Sequence, residues 1–420
     1  MKNKEVDIIN EVDCCRVCGG SFVSAINLGK IFPSSFIKKN EIMDEKGKAP
    51  LELVECVECG LVQLKHTIDL DLMYRQYWYS SSLNKSMVSS LLDVVEDSLR
   101  RVVLLEEDTV IDIGCNDGTM LNMYPEYLNK IGFDPALNLD RSGSFEFIND
   151  YFSASAVSGE TKAKIITAIA MFYDLPDPVG FANDVREVLH KDGIFIVQFT
   201  DLISMLKSTA FDNICHEHLE YYRLQDVLNV LEAAGLSIID VSHNDVNGGS
   251  IRITASHKGR YVPSTSVLEE LSLEKEFLKA YGFDEFRKKV ATIKMKTTGF
   301  LKWALDKGDT VHLLGASTKG NTLLQVFEID NSLVKFAAEV NSDKFGLMTV
   351  GSNIEIISET DSLIKHPDHY LVPVWHFKAS ILKNEKILDY LNSGGSLVFP
   401  LPEFIVITMG CAGNLVETRI

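Results

Sequence analysis

The sequence predicts an α/β protein with two doubly wound, mostly parallel sheets behind a small metal-stapled module. Between about residues 108 and 262, short β-branched runs alternate with helical stretches: VIDIG, KIGFD, KIITAIAM, GIFIVQF and LSIIDVS. Strands that alternate with helices imply βαβ units and a sheet covered on both faces. The same alternation returns after about residue 309 in TVHLLGASTKGNTLLQVF, KFAAEV, HYLVPVW and SLVFPL. The first 72 residues lack long periodic stretches and hold two Cys-x-x-Cys pairs. Such a segment is too small to fold without a staple.

A chain of 420 residues is too long for one core. The patterns divide it into a zinc-binding module (1–72), a helical lead-in (73–107), a first α/β domain (108–262), a helical connector (263–308) and a second α/β domain (309–420). In the lead-in, Met87, Leu91, Leu92, Val95, Leu99 and Val102 recur at helical spacing. Hydrophobic residues at 46% and charged residues at 24% are ordinary for packed globular proteins. The 59 acidic against 41 basic residues leave a formal charge of −18, which disfavours phosphate backbones and anionic lipid surfaces. Nucleic acid and membrane are therefore not expected as partners. The opening MKNKEVDIINEVD has no basic start followed by an apolar run, so a cytoplasmic location is expected. The oligomeric state is left open, a monomer included.

Cys15-Arg-Val-Cys18 and Cys56-Val-Glu-Cys59 are each followed by glycine. Paired knuckles of this spacing present four thiolates tetrahedrally, and the glycines permit the tight turns. A closed four-cysteine shell leaves no open position, so the zinc is expected to be structural. Cys14 abuts the first pair as an alternative ligand, but the spacing to Cys18 favours Cys15.

The run Val110-Ile-Asp112-Ile-Gly114-Cys-Asn116-Asp117-Gly118 reads as a buried strand entering a glycine-rich turn, with a helix expected from about Thr119. Gly114 and Gly118 let backbone approach a ligand at the C-terminal sheet edge. The turn lacks the third glycine of a dinucleotide fingerprint. The next strand ends in Asp134, whose carboxylate is placed to accept the ribose hydroxyls of an adenosyl group or to cap a helix before Pro135. Asp112, Asn116 and Asp117 complete the candidate cofactor contacts.

These residues resemble class I S-adenosylmethionine methyltransferases, and more specifically the three-part sugar C-methyltransferases. The matching stretches are CRVCG, VECVECGLVQL, YRQYWYSSS, IDIGCNDGTML, CHEHLEYY, NGGSIRI and GASTKGNTLL, which span nearly the whole chain. The resemblance implies an N-terminal four-cysteine zinc domain, a central class I methyltransferase domain and a C-terminal Rossmann-like domain. It also implies S-adenosyl-L-methionine as cofactor and a nucleotide-linked keto-deoxysugar as substrate.

Asn213-Ile-Cys215-His216-Glu217-His218-Leu-Glu220-Tyr221-Tyr222 gathers two imidazoles, two carboxylates and two phenols beyond a strand end. Carbon methylation beside a ketone needs a base to remove the α-proton, and histidine has suitable basicity near neutral pH. By resemblance the base is His218, with Glu217 beside it and His216 in the same cluster. Where the family pattern has tyrosine this chain has Cys215, which leaves the acceptor open. The pattern H-E-x-x-H is absent, which argues against a catalytic zinc in the cluster. Tyr77 and Tyr79 are the family's contributors from the lead-in; their hydroxyls either bond a sugar or the cofactor carboxylate, or join an aromatic seam.

Gly315-Ala-Ser317-Thr-Lys319-Gly-Asn321-Thr lies between a strand and a helix, with Asn321 where a phosphate-binding loop needs lysine. ATP hydrolysis is not indicated, but Ser317, Lys319 and Asn321 suit a diphosphate or other anion. Asn247 and Gly248 either line the acceptor cleft or bend a hairpin. Three functions are thus framed: carbon methylation of a nucleotide-linked keto-sugar, oxygen methylation of a sugar or related metabolite, and a non-enzymatic zinc scaffold.

Overall fold

The computed structural model describes residues 9–41 and 43–419, so the first eight residues of the 1–72 segment lie outside the described residues. The chain forms two compact units. One contains the chain up to Ala25, Leu53–Ser204 and Glu217–Ala280; the other contains Ile26–Glu52, Met205–His216 and the chain from Tyr281.

The first unit is built on a seven-stranded sheet: β1 (Thr109–Ile113), β2 (Asn129–Phe133), β3 (Glu146–Ile148), β4 (Ala163–Ile169), β5 (Leu189–Phe199), β6 (Leu236–Asn244) and β7 (Ser250–His257). Their spatial order is β6-β7-β5-β4-β1-β2-β3. Strands β1 to β5 pair in parallel, while β7 runs antiparallel between β5 and β6. Every residue of β1 is buried, as its unbroken β-branched run requires of a strand covered on both faces. The chain leaves β1 toward β2 and β3, then returns to the other side of β1 with β4. That reversal opens a crevice outside the C-terminal ends of β1 and β4, where ligands of such sheets bind.

The lead-in contains helix α1 (Lys85–Arg101), capped by Asn84. It buries Leu91, Val94 and Val95, whereas Leu92 is 43% exposed, so the apolar face is turned slightly from the expected one. The helix expected from Thr119 is replaced by one short turn, Leu121–Met123. Pro125 holds Tyr124 extended and returns the chain directly to β2. Helix α2 (Pro178–Val188) begins with proline in its first turn and is capped by Asp177. Helix α3 (Leu224–Ala233) precedes β6.

A four-stranded sheet orders Glu220–Tyr221, Val62–Leu64, Ala49–Cys56 and Phe22–Ile31. Its antiparallel register sets Glu220 against Gln63 and Tyr221 against Val62. The histidine-rich segment is thereby hydrogen-bonded to the strand that follows the second zinc knuckle.

The second unit holds a nine-stranded sheet. Its strands are β8 (Val311–Leu314), β9 (Phe336–Glu339), β10 (Leu347–Thr349), β11 (Glu355–Ser358), β12 (His369–Leu371), β13 (Ser396–Phe399), β14 (Ile405–Met409) and β15 (Leu415–Arg419), with Phe36–Lys38 added antiparallel beside β10. Strands β8, β9, β11, β12 and β13 pair in parallel. Helix α4 (Thr318–Phe327) follows β8, as its glycine loop predicts. Among the described residues, no helix is long and apolar enough to cross a membrane.

Candidate functional site

The loop after β1 is held by its own backbone. The amides of Gly114 and Cys115 donate to the Phe133 carbonyl at 2.8 and 3.0 Å, which ties the end of β1 to the end of β2. Gly114, Asn116 and Gly118 have φ of 73°, 55° and 78°, values that L side chains adopt at a strain cost. A Cβ on Gly118 would strike the Phe145 ring, so this glycine serves packing as well as the turn.

A cavity of about 520 Å³ lies at the crevice. Asp112, Gly114, Asn116, Asp134, Tyr77 and Tyr79 all line it; Asp117 and Gly118 do not. Asp134 Oδ2 accepts from the Asn116 amide at 2.9 Å, and Oδ1 accepts from the Ala136 amide at 2.9 Å and the Arg141 guanidinium at 3.0 Å. Three of about four acceptor positions of the carboxylate are thus filled, leaving room for one ribose hydroxyl without rearrangement. Burial raises the Asp134 carboxyl above its ordinary range against these donors. Burial also pushes Asp112 up to about 7, although Thr167 donates to it at 2.8 Å.

Asp117 has another task. It accepts from the Ser80 hydroxyl at 2.6 Å, the Ser82 amide at 2.9 Å, and the Thr119 amide and hydroxyl at 3.1 and 2.6 Å. Burial raises its pKa, but these donors outweigh that and hold it below the ordinary value. With all its acceptor positions taken, Asp117 fastens the Tyr79–Ser82 segment to the loop. Asn116 adds to the fastening by accepting from the Ser81 amide at 2.9 Å and donating to the Tyr79 carbonyl at 3.0 Å.

Glu217 and His218 are each 9% exposed, and neither lines the cavity; their link to it runs through a neighbouring side chain. The Tyr74 hydroxyl donates to the Glu217 carbonyl at 2.8 Å, and the Leu219 amide donates to the Tyr173 carbonyl at 2.8 Å. The His218 ring meets the Tyr173 ring edge-on, centroids 4.3 Å apart. Tyr74 itself lines the cavity, as does Asp174, the neighbour of Tyr173. His216 points elsewhere: its Nε2 lies 3.2 Å from the Ala49 carbonyl in the second unit. Sequence reasoning passes over Asp174, because a single aspartate after a strand carries no motif.

In the zinc module the Cys15 and Cys59 sulfurs are 3.7 Å apart and those of Cys18 and Cys56 are 3.5 Å apart. All four lie within 4.8 Å of one another. Thiolates sharing one tetrahedral zinc stand about 3.8 Å apart, so the donor set fits this ion. Cys14 is exposed and outside the group, which selects Cys15.

The remaining candidates lie in two places. Asn247 (φ 55°) and Gly248 (φ 91°) form the turn between β6 and β7 and do not line the cavity. In the second unit Ser317 caps α4, accepting from the Gly320 amide at 2.9 Å, and the Asn321 amide donates to the Ser35 carbonyl at 2.9 Å. Lys319 acts electrostatically on Asp212 and His376, two buried groups without sequence signature. Trp375 donates to Asp212 at 3.1 Å, while Asp212 Oδ1 and His376 Nδ1 have no hydrogen-bond partner. Burial raises Asp212 to about 6 despite Lys319 and lowers His376 to about 3.

Three family descriptions match in succession: a zinc-binding domain over residues 15–74, a methyltransferase domain over 88–241, and a C-methyltransferase C-terminal domain over 245–402. The chain belongs to the three-domain C-methyltransferases. It is an S-adenosylmethionine-dependent enzyme with a zinc module, and the scaffold reading falls away. The C-methyltransferase NovU of Streptomyces niveus is 29% identical over 423 residues, covering 96% of this chain and 98% of its own. Among solved structures, an S-adenosylmethionine-dependent methyltransferase from Clostridium acetobutylicum is 14% identical and covers 41% of this chain and 92% of its own, with a TM-score of 0.33. Magnesium protoporphyrin IX methyltransferase from Synechocystis with bound S-adenosylhomocysteine is 13% identical and covers 41% and 83%, with a TM-score of 0.30.

Two outcomes follow for this C-methyltransferase. Metal analysis of protein purified without chelator is expected to give one zinc per chain, and Cys56→Ser is expected to lose the metal together with folded stability; a zinc-free native protein, or an unaffected variant, contradicts the assignment. Asp134→Ala is expected to weaken cofactor binding by about 1.5–3 kcal/mol in calorimetry. Unchanged affinity in a folded variant removes Asp134 from the binding site.

Proposed function

We propose that this enzyme methylates a carbon of a nucleotide-linked keto-deoxysugar, in the cytoplasm, with His218 as the base that removes the α-proton. The observation that supports this best is the hydrogen bond from Tyr74, which lines the cofactor cavity, to the Glu217 carbonyl next to His218. A carbon acid beside a ketone is weak, so its proton leaves only to a base positioned in a site that excludes bulk water. His218 is nearly buried and braced edge-on by Tyr173, which restricts its ring to a narrow range of directions. Glu217, next to it, is the natural partner for orienting the imidazole or a substrate hydroxyl.

Bound S-adenosylmethionine supplies the methyl group. Asp134 holds the adenosyl ribose, and Gly114 admits the amino-acid portion against bare backbone. The Asp117 and Asn116 contacts keep Tyr77 and Tyr79 at the cavity rim, where their phenols meet the cofactor or the acceptor. Ser317, Lys319 and Asn321 are proposed to bind an anionic group within the second unit. The NovU relative supports the transfer to carbon, and the cavity supports the cofactor.

Positioned proton transfer contributes about 10²–10⁴-fold to rate, so His218→Ala is expected to lose turnover by about that factor with cofactor affinity near normal. In the same protein, deuterium exchange at the acceptor α-carbon is expected to fall in parallel. If exchange is undetectable in the native enzyme while methyl transfer proceeds, the proton removed is a hydroxyl proton and oxygen methylation replaces this reading.

A further inference from the structure

Six aspartates line the cavity (Asp112, Asp134, Asp150, Asp174, Asp177 and Asp184), and no lysine, arginine or histidine among the described residues does so. Most of them are neutralised locally. Asp134 has Arg141 and two amides, Asp112 has Thr167, Asp150 has Arg75 at 3.5 Å, and Asp177 caps α2 through the Gly180 amide at 2.9 Å. Asp174 differs from these four. Its Oδ1 is shut off from solvent with no hydrogen-bond partner. The ionisable groups acting on it are two carboxyls, Glu217 and Glu220, and the Tyr74 phenol. Arg16 lies 3.6 Å from Glu220 and pairs with it.

Opposing effects act on the Asp174 carboxyl in the free site. The Tyr74 hydroxyl has one proton and directs it to the Glu217 carbonyl, which only accepts. The hydrogen bond between Tyr74 and Asp174 favours the ionised carboxyl, and the opposing tendency is toward the neutral form. Burial and the two glutamates both favour this neutral form, holding the carboxyl well above the ordinary range.

The methyl donor and its product differ by one charge in this same space. S-adenosylmethionine has a sulfonium and a net charge of +1; S-adenosylhomocysteine, a thioether, has none. We propose that Asp174 distinguishes the two, releasing its proton to solvent when the cationic donor enters the cavity and keeping it when the neutral product occupies it. The carboxylate formed attracts the sulfonium through a medium of low dielectric, so the donor is held and the product let go. No covalent bond changes at Asp174: the carboxyl becomes a carboxylate, and water takes the proton.

Calorimetry of both ligands, in buffers of different ionisation enthalpy, tests this without any acceptor sugar. The native protein is expected to release protons on binding the donor and close to none on binding the product. Because the carboxyl is protonated when free and ionised when bound, donor affinity should rise as pH rises through neutrality. Asp174→Asn should abolish the release and the pH dependence, and weaken donor binding about tenfold while changing product binding less than about twofold. Glu217→Gln, which removes a neighbouring like charge, should move the release to lower pH and guards against misfolding of the first variant. Equal losses for donor and product, undiminished release in Asp174→Asn, or release abolished instead by Asp112→Asn would each overturn the proposal. Failure of the native protein to bind either ligand would instead reject the cofactor site on which it rests.

Discussion

Carboxylates crowded into one largely apolar cavity repel each other and lose hydration, and the folded chain must offset both effects at every one of them. The fold does this with what each position offers. The β1–β2 turn aims two amides and Arg141 at Asp134, while the N-terminus of α2 receives Asp177. Asp174 has no such donor on its Oδ1, and burial holds its carboxyl well above the ordinary range. The result is a site whose unmet electrostatic demand is for positive charge, and a sulfonium cofactor supplies it. The same demand explains why the glycine loop works without a helix N-terminus behind it: the short turn Leu121–Met123 focuses no positive helix end on a ligand that is itself a cation.

The zinc module bears on the same site through a short chain of contacts. Arg16 sits inside the first knuckle, between Cys15 and Cys18. Its guanidinium donates to the Leu64 carbonyl at 2.7 Å and the Thr67 hydroxyl at 2.8 Å, and approaches Glu220 at 3.6 Å with both side chains almost wholly buried. Glu220 and Tyr221 are paired in register with Gln63 and Val62. A metal that closes the knuckles therefore fixes Arg16, the strand Val62–Leu64 and the strip ending in His218. Structural zinc in this chain supports the Glu220–Tyr221 strand at one remove, as well as stapling a segment too small to fold alone.

Much of this was legible in residue order because it depends on local spacing. Two Cys-x-x-Cys pairs present four thiolates whatever surrounds them, and a five-residue β-branched run ending in glycine reads as a buried strand and turn. Asp134 was legible for the same reason. What escaped depends on partners far along the chain. Asp117 looks like a ligand contact until Ser80 and Ser82 are seen to fill its lone pairs. Asp174 carries no motif, and its character comes from Glu217 and Glu220, more than forty positions away. Phe36–Lys38 lies within the first 72 residues yet pairs with β10, a register set by contacts more than three hundred residues distant. The expected helix at Thr119 failed through Pro125, a signal present in the sequence and outweighed there by the loop motif.

Where the methyl group goes separates carbon from oxygen methylation, and one measurement reads that directly. The enzyme is incubated with S-adenosylmethionine labelled with ¹³C in the methyl group and with a nucleotide-linked keto-deoxysugar, and the labelled product is examined by NMR. A labelled methyl showing one-bond carbon–carbon coupling to the ring, once the ring carbons are also ¹³C-enriched, is the outcome predicted here. A labelled methyl at an oxygen-bound chemical shift, with no such coupling, would contradict it.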